Sequence, residues 1–316
     1  MVRAIRDKLK IKLENSGILE AVKNDADLAL FLRGDYATVY YKTLQILKIN
    51  SASAVINEKY LGKKTEDKHA RYEKIIIPGK YGKNWSGYFE YTKERIDDYQ
   101  KESNHGKSEK EYQQMLIKQN KYPQSDYQII DVEYAQNSII PNDSNKRFDA
   151  VAIHRTKANE WGLVFIELKV GNGAVYGKKS GVSDHLKSAG KFYAELVRKN
   201  KEKDLYDDLD EVIKQLHELE LLPVEVKISR KIRPQMIFAM ADFKVDKHKK
   251  GMDKVIYDFL KSEDEGHKEA IKYYEILFSD LSAEKLMTAK NMVLRLEDLK
   301  TPKEAIKQIE NERCKK

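Results

Sequence analysis

Cysteine is almost missing from this 316-residue chain: the single one, Cys314, stands in a charged, polar tail. That excludes a disulfide framework and any cysteine metal site, and it fits a reducing, intracellular setting. Long apolar runs are missing too. The longest are strand-sized, well short of the about 20 residues that a membrane-spanning helix needs, so no membrane partner is expected. The opening residues Met1-Val2-Arg3-Ala4-Ile5-Arg6-Asp7-Lys8 lack the apolar stretch of a secretory signal, which makes a cytoplasmic location the expectation. The 7 histidines show neither an HExxH pair nor any other paired zinc-ligand spacing. Gly171 and Gly173 lack the adjoining Lys-Ser/Thr of a phosphate-binding P-loop. There is no internal repeat, no low-complexity tract beyond the charged tail, and no ATPase, methyltransferase or familiar recognition module.

Charge is what the chain has in quantity. Charged residues make up 35% of it, with 59 Lys and Arg against 51 Asp and Glu, for a net charge of +8. A basic balance favours a polyanionic partner, and an acidic protein is not expected as the main one. The excess is mostly lysine and is accompanied by 19 tyrosines, which also matches a general codon bias, so charge alone carries little weight. Hydrophobic residues, at 41%, suffice for a sizeable core in one large domain or two smaller ones.

Along the chain, Ile5 to Val22 carries apolar residues at helical spacing. Asp27 to Leu32, Tyr36 to Tyr41 and Leu44 to Ile49 read as strands of an antiparallel meander, turned at Arg33-Gly34-Asp35 and Lys42-Thr43. Residues from about Lys63 to Gly87 are loop-rich and basic, with Trp85 among lysines and tyrosines. Such interleaving suits phosphate contact and base stacking, or a solvated loop whose aromatics tuck into the core. Helices are expected from Tyr88 to about Lys101 and from Ser108 to about Asn120, the second with Ser108 and Glu111 spaced as a capping box. Tyr127 to Tyr134 is a strand by composition. Further helices are expected over Ser183 to Lys199, Leu205 to Leu221 and Ala283 to Leu296, with strands over Gln235 to Phe243 and Ile271 to Phe278. The order predicts an α/β (α+β) chain with a mixed central sheet flanked by helices. Residues 1–100 then form a helix and β-meander region with a recognition role, and residues 101–316 a second domain with a helical extension.

Two short apolar runs carry polar residues that a strand core would not choose. Arg147-Phe148-Asp149-Ala150-Val151-Ala152-Ile153 holds Asp149, and Leu163-Val164-Phe165-Ile166-Glu167-Leu168-Lys169-Val170 holds Glu167 and Lys169. A polar, glycine-containing turn from His154 to Gly162 separates them, so both read as strands of a hairpin. Side chains alternate along a strand, so Glu167 and Lys169 share a face. Charged groups beside a core are costly unless something uses them. A divalent cation and a water are such users. Mg²⁺ or Mn²⁺ takes oxygen ligands and keeps several waters, so Asp149 and Glu167 suffice as protein ligands. Lys169 would lie beside the metal-bound water, to orient it or to stabilise charge on phosphorus. A third carboxylate is expected from the preceding helix: Glu109, in line with Tyr112 and Leu116 on an inward face, or Glu111 at the edge of that face.

Helix with Glu109, strand, strand with Asp149, strand with Glu167-Leu168-Lys169, helix: this order resembles the PD-(D/E)XK nuclease superfamily, the restriction-endonuclease-like fold. The likeness spans about Ser108 to Lys199, with Gln235 to Phe243 as a further sheet strand. Glu109-Lys110-Glu111-Tyr112-Gln113-Gln114, Ile129-Ile130-Asp131-Val132-Glu133-Tyr134 and Arg147-Phe148-Asp149 look similar to poorly characterised bacterial members. Phe148 stands where the superfamily's name has proline. The resemblance implies Mg²⁺- or Mn²⁺-dependent cleavage of DNA, with Asp149 and Glu167 as ligands and Lys169 at the water, in restriction, defence or repair. RNA stays open, because metal chemistry is indifferent to the sugar. A homodimer is compatible with the reading.

Other readings stand beside that one. A Glu-x-Lys tripeptide is common, and a surface ion-pair cluster on a hairpin would use the same residues. Asp184-His185 opens the helix after the Glu-x-Lys strand, where His185 could bind phosphate or assist proton transfer, or simply follow a helix-start aspartate. Lys178, Lys179, Lys187 and Lys191 nearby could track a phosphate backbone together with His185, or form a solvated helix face. The alternative function is a catalytically inactive nucleic-acid-binding or interaction module on the same fold.

Overall fold

A computed structural model describes residues 3–42, 44–56, 84–102, 109–121, 123–135, 147–156, 158–171, 174, 181–242, 262–281 and 292–295. Its helices are α1 (Asp7–Asn15), α2 (Ile18–Lys23), α3 (Trp85–Glu102), α4 (Glu109–Gln119), α5 (Val182–Arg198), α6 (Glu202–Glu218) and α7 (Glu265–Tyr273). Its strands are β1 (Leu28–Leu32), β2 (Tyr36–Tyr41), β3 (Leu44–Asn50), β4 (Ala54–Ile56), β5 (Tyr127–Ala135), β6 (Arg147–Arg155), β7 (Trp161–Val170), β8 (Gln235–Ala241), β9 (Glu275–Asp280) and β10 (Met292–Arg295). The chain forms two compact units, Met1–Gln114 with Asp208–Val226, and Met115–Asp207 with Lys227–Lys316. The first therefore takes in a discontinuous stretch that a single cut near residue 100 leaves with the second. Among the described residues, no helix is long and apolar enough to cross a membrane.

The first unit holds a four-stranded antiparallel sheet in the order β1-β2-β3-β4. Gly34 at φ 74 permits the tight turn between β1 and β2, closed by Arg33 N–H donating to the Tyr36 carbonyl at 2.8 Å. The fourth strand was not expected from the sequence; it adds only three residues to β3. The single helix expected over Ile5 to Val22 is instead two. Gly17, at φ 75, breaks the run, and the Ser16 hydroxyl accepts from Ile18 N–H at 3.2 Å. Leu9, Leu13, Ile18 and Val22 remain buried, so the apolar spacing survives the break. Trp85 opens α3, buried, with its indole N–H on the Ser16 carbonyl at 3.0 Å. It takes the core role of the two open to it; most of the loop before it, residues 57–83, lies outside the described residues.

The second unit holds a six-stranded mixed sheet in the order β10-β9-β8-β7-β6-β5. β5, β6 and β7 form an antiparallel meander, β8 and β9 continue parallel to β7, and β10 pairs antiparallel with β9. All seven residues of β8 are buried, as its unbroken apolar composition predicts for a central parallel strand. α5 packs Leu186, Ala189, Phe192 and Leu196 inward, and Phe192 meets Phe148 and Phe165 at 5.6 Å and 6.0 Å between ring centroids. Two expectations near the end of the chain are corrected. Ile271 to Phe278 is not one strand: α7, capped by the Asp264 carboxylate on Gly266 N–H at 2.9 Å, runs to Tyr273, and β9 starts at Glu275. The β-branched and aromatic residues of Ile271 to Phe278 straddle that junction with no glycine or proline to mark it, which is why the segment read as continuous. The helix expected over Ala283 to Leu296 contains a strand, β10, because Met292-Val293-Leu294-Arg295 finds the open edge of β9; residues 282–291 lie outside the described residues.

Candidate functional site

β6 and β7 pair from Arg155↔Trp161 to Ala150↔Ile166. One more step would set Asp149 opposite Glu167. There the regular ladder stops, and the Asp149 carboxylate acts as a strand partner: Oδ2 accepts from the Leu168 N–H at 2.6 Å. Hydrogen bonds to a charged acceptor are short and contribute about 1.5–3 kcal/mol. Asp149 is thereby tied to the backbone between Glu167 and Lys169.

The neighbouring strand is irregular at the same place. Glu133 lies between the pairs Val132↔Ala150 and Tyr134↔Phe148, and so opposite Asp149. Its φ is 51°, a left-handed conformation inside a strand. A non-glycine residue held there costs of the order of 1–3 kcal/mol, and such strain concentrates at functional sites. Alternation along β6 also breaks. In a regular ladder Phe148 would share a face with Ala150 and Ile166, yet its ring lies 4.5 Å from Phe165, whose side chain points the other way from Ile166. Tyr134, Phe148, Phe165, Phe192 and Tyr274 make a chain of ring contacts beneath this kink, at 4.5–6.5 Å. Aromatic packing thus holds the strands where the backbone departs from its pleat.

Glu167 and Lys169 are both buried, at 2% and 6% exposure. The Lys169 ammonium is 3.4 Å from Glu167 Oε2. The same oxygen is 2.7 Å from Nδ1 of His185, in the first turn of α5. A buried ion pair of this kind is weak evidence for stability, since desolvation offsets the Coulomb gain, whereas deleting one partner costs about 3–5 kcal/mol. Asp131 is buried as well, at 2% exposure, and its Oδ1 accepts from the Val132 N–H at 2.7 Å.

Asp149, Glu167 and Lys169 are therefore brought together as the strand pattern predicts, and His185 joins them through Glu167. Its signal in the sequence was its place one turn into the helix that follows the Glu-x-Lys strand. The burial of Asp131 had no signal beyond its position in an apolar run. Glu109, the first residue of α4, is exposed in the first turn instead of facing inward with Tyr112 and Leu116. Glu111 is half-buried and 3.8 Å from the Lys42 ammonium. Both belong to the first unit, and Asp149, Glu167 and Lys169 to the second. Lys187 is ion-paired with Asp264 at 2.5 Å, and Lys191 is exposed; Lys178 and Lys179 lie outside the described residues.

Among the described residues, no three His, Cys, Asp or Glu side chains are spaced as a ready metal cage. Mg²⁺ and Mn²⁺ do not require one. One or two carboxylates with waters and substrate oxygens complete their shell, and Asp149 and Glu167 offer that donor chemistry from adjacent strands. Comparison of the chain with models of known protein families, with curated proteins and with solved structures gave no match.

Proposed function

We propose that this protein is a divalent-metal-dependent nuclease that hydrolyses phosphodiester bonds of DNA, on a restriction-endonuclease-like core. The observation that carries the reading is the end of the β6–β7 ladder, where the Asp149 carboxylate is 2.6 Å from Leu168 N and Glu167 and Lys169 lie buried on either side of that residue. Two features support it further. The element order α4, three antiparallel strands and α5, with β8 joining the same sheet after α6, agrees with the order the sequence resemblance implies. The left-handed Glu133 opposite Asp149 is strain of the kind that functional sites retain.

When bound, Mg²⁺ or Mn²⁺ supplies Lewis-acid stabilisation of the phosphate and lowers the pKa of an attacking water. Asp149 and Glu167 would hold it. Asp149 contributes a carboxylate whose direction is set by the Leu168 N–H. Lys169 places its side-chain nitrogen in a buried setting, where hydrogen bonds to a water or to the oxygens of the pentacovalent phosphorus would act with less screening than in bulk solvent. Phosphodiesters hydrolyse extremely slowly without such help. The net charge of +8 favours association with a polyanion.

The test is cleavage of supercoiled plasmid and of labelled oligonucleotides with Mg²⁺, Mn²⁺ or chelator. Asp149→Asn keeps an oxygen for the Leu168 N–H but removes the charge, and Lys169→Met keeps the volume but removes the ammonium. The wild type is expected to cleave only with metal, and both variants to lose at least about 10²-fold in rate. Wild-type activity that persists in both variants would remove the assigned roles. Salt-dependent DNA binding with no cleavage under any divalent ion would favour the inactive binding module instead.

A further inference from the structure

We infer that His185 is a positioning residue for the proposed metal site: its Nδ1 fixes the orientation of the Glu167 carboxylate that the cation would use. The inference rests on the nuclease reading and adds a residue to it. His185 Nδ1 lies 2.7 Å from Glu167 Oε2, nearer than the Lys169 ammonium at 3.4 Å. With the carboxylate ionised, Nδ1 is the donor and Oε2 the acceptor. The imidazole therefore limits rotation of a buried carboxylate about its last side-chain torsion, which is otherwise broad and nearly two-fold.

The helix that carries His185 is held firmly enough for this task. Gly190 of α5 lies against the backbone of α7 so closely that a Cβ there would overlap the Gly266 carbonyl oxygen. His267 bridges the two helices: Nε2 is 2.9 Å from the Ser183 carbonyl and 3.1 Å from its hydroxyl, while Nδ1 is 2.6 Å from the Ser262 hydroxyl. Lys187 pairs with Asp264 at 2.5 Å, and the buried Tyr274 hydroxyl donates to the Ala189 carbonyl at 3.2 Å. These contacts flank His185 on both sides along α5. A ligand held by a rigid second group binds metal better, and loss of such a group commonly costs 10–100-fold in metal affinity or activity.

The two ring nitrogens make the idea sharply testable. An asparagine amide nitrogen occupies the place of Nδ1, whereas a glutamine amide reaches the place of Nε2. Mn²⁺ alone is titrated calorimetrically into the full-length wild type and into H185A, H185N and H185Q, with thermal melting to check folding. H185A is expected to bind Mn²⁺ about 10–100-fold more weakly, with H185N near wild type and H185Q as weak as H185A. Unchanged or tighter binding in H185A, or H185N as weak as H185A, or rescue by H185Q in place of H185N, would overturn the positioning role while leaving the nuclease reading intact. A wild type that neither binds Mn²⁺ nor cleaves DNA would overturn both.

Discussion

At the scale of single residues, the site is built from polar groups where a strand core would not choose them. Asp149, Glu167 and Lys169 were legible because each interrupts an apolar run, and because alternation puts Glu167 and Lys169 on one face. What surrounds them was not legible. Whether His185 meets Glu167 depends on how a helix docks on the sheet, and the left-handed backbone of Glu133 depends on pairing with β6; neither leaves a mark in local composition. Glu133 provides a test of the backbone reading, since valine is the better strand former by propensity. At φ 51° its branched side chain would clash with the backbone. Glu133→Val is therefore expected to destabilise by about 1–2 kcal/mol and to lower the melting temperature. A raised melting temperature would show that propensity, and not the left-handed turn, governs that position.

At the scale of elements, hydrophobic periodicity located most helices and strands of the sheet that carries the site, and it failed where two elements share one apolar run. Ile271 to Phe278 joins the last turn of α7 to β9 with no glycine or proline between them, and only the Asp264 cap shows where the helix begins. The seam between α5 and α7 depends on glycine. Gly190→Ala would drive a methyl group into the α7 backbone, so a loss of about 1–3 kcal/mol is expected, read as a lower melting temperature of the full chain. The same seam has a pH dependence. The Lys187 ammonium holds the Asp264 carboxyl below its usual range, with the Gly266 N–H adding to the effect. A depressed carboxyl pKa gives stability that is present above the ordinary value of about 3.9 and is lost as pH falls through the folded-state value. Lys187→Met should therefore lower the melting temperature at neutral pH, by a small amount for so accessible a pair, and the difference from wild type should close in acid. A gap that widens as pH falls would contradict the pairing.

At the scale of the whole molecule, the two compact units divide the chain differently from a linear reading. The meander was anticipated, but residues 208–226 belong with it although they follow the site in sequence, because α6 spans the boundary and packs Leu209, Val212, Ile213 and Leu216 into a buried face. Periodicity marks such a helix as amphipathic and cannot say against which unit its apolar face is buried. If the proposed function holds, the basic balance of the whole chain predicts that Asp149→Asn, expected not to cleave, still binds duplex DNA, with affinity falling steeply as salt rises. Binding insensitive to salt would argue that phosphate contacts are not its basis.

The central claim is that Asp149 and Glu167 share a divalent cation. Diffraction at the manganese edge from crystals soaked in Mn²⁺ tests it directly. The account predicts one anomalous peak bonded to carboxylate oxygens of both residues, at about 2.1 Å, with the Lys169 ammonium beside a water of its shell. No peak there at saturating Mn²⁺, with Glu167 still closed on Lys169 and His185, would contradict it and leave a buried ion-pair cluster in its place.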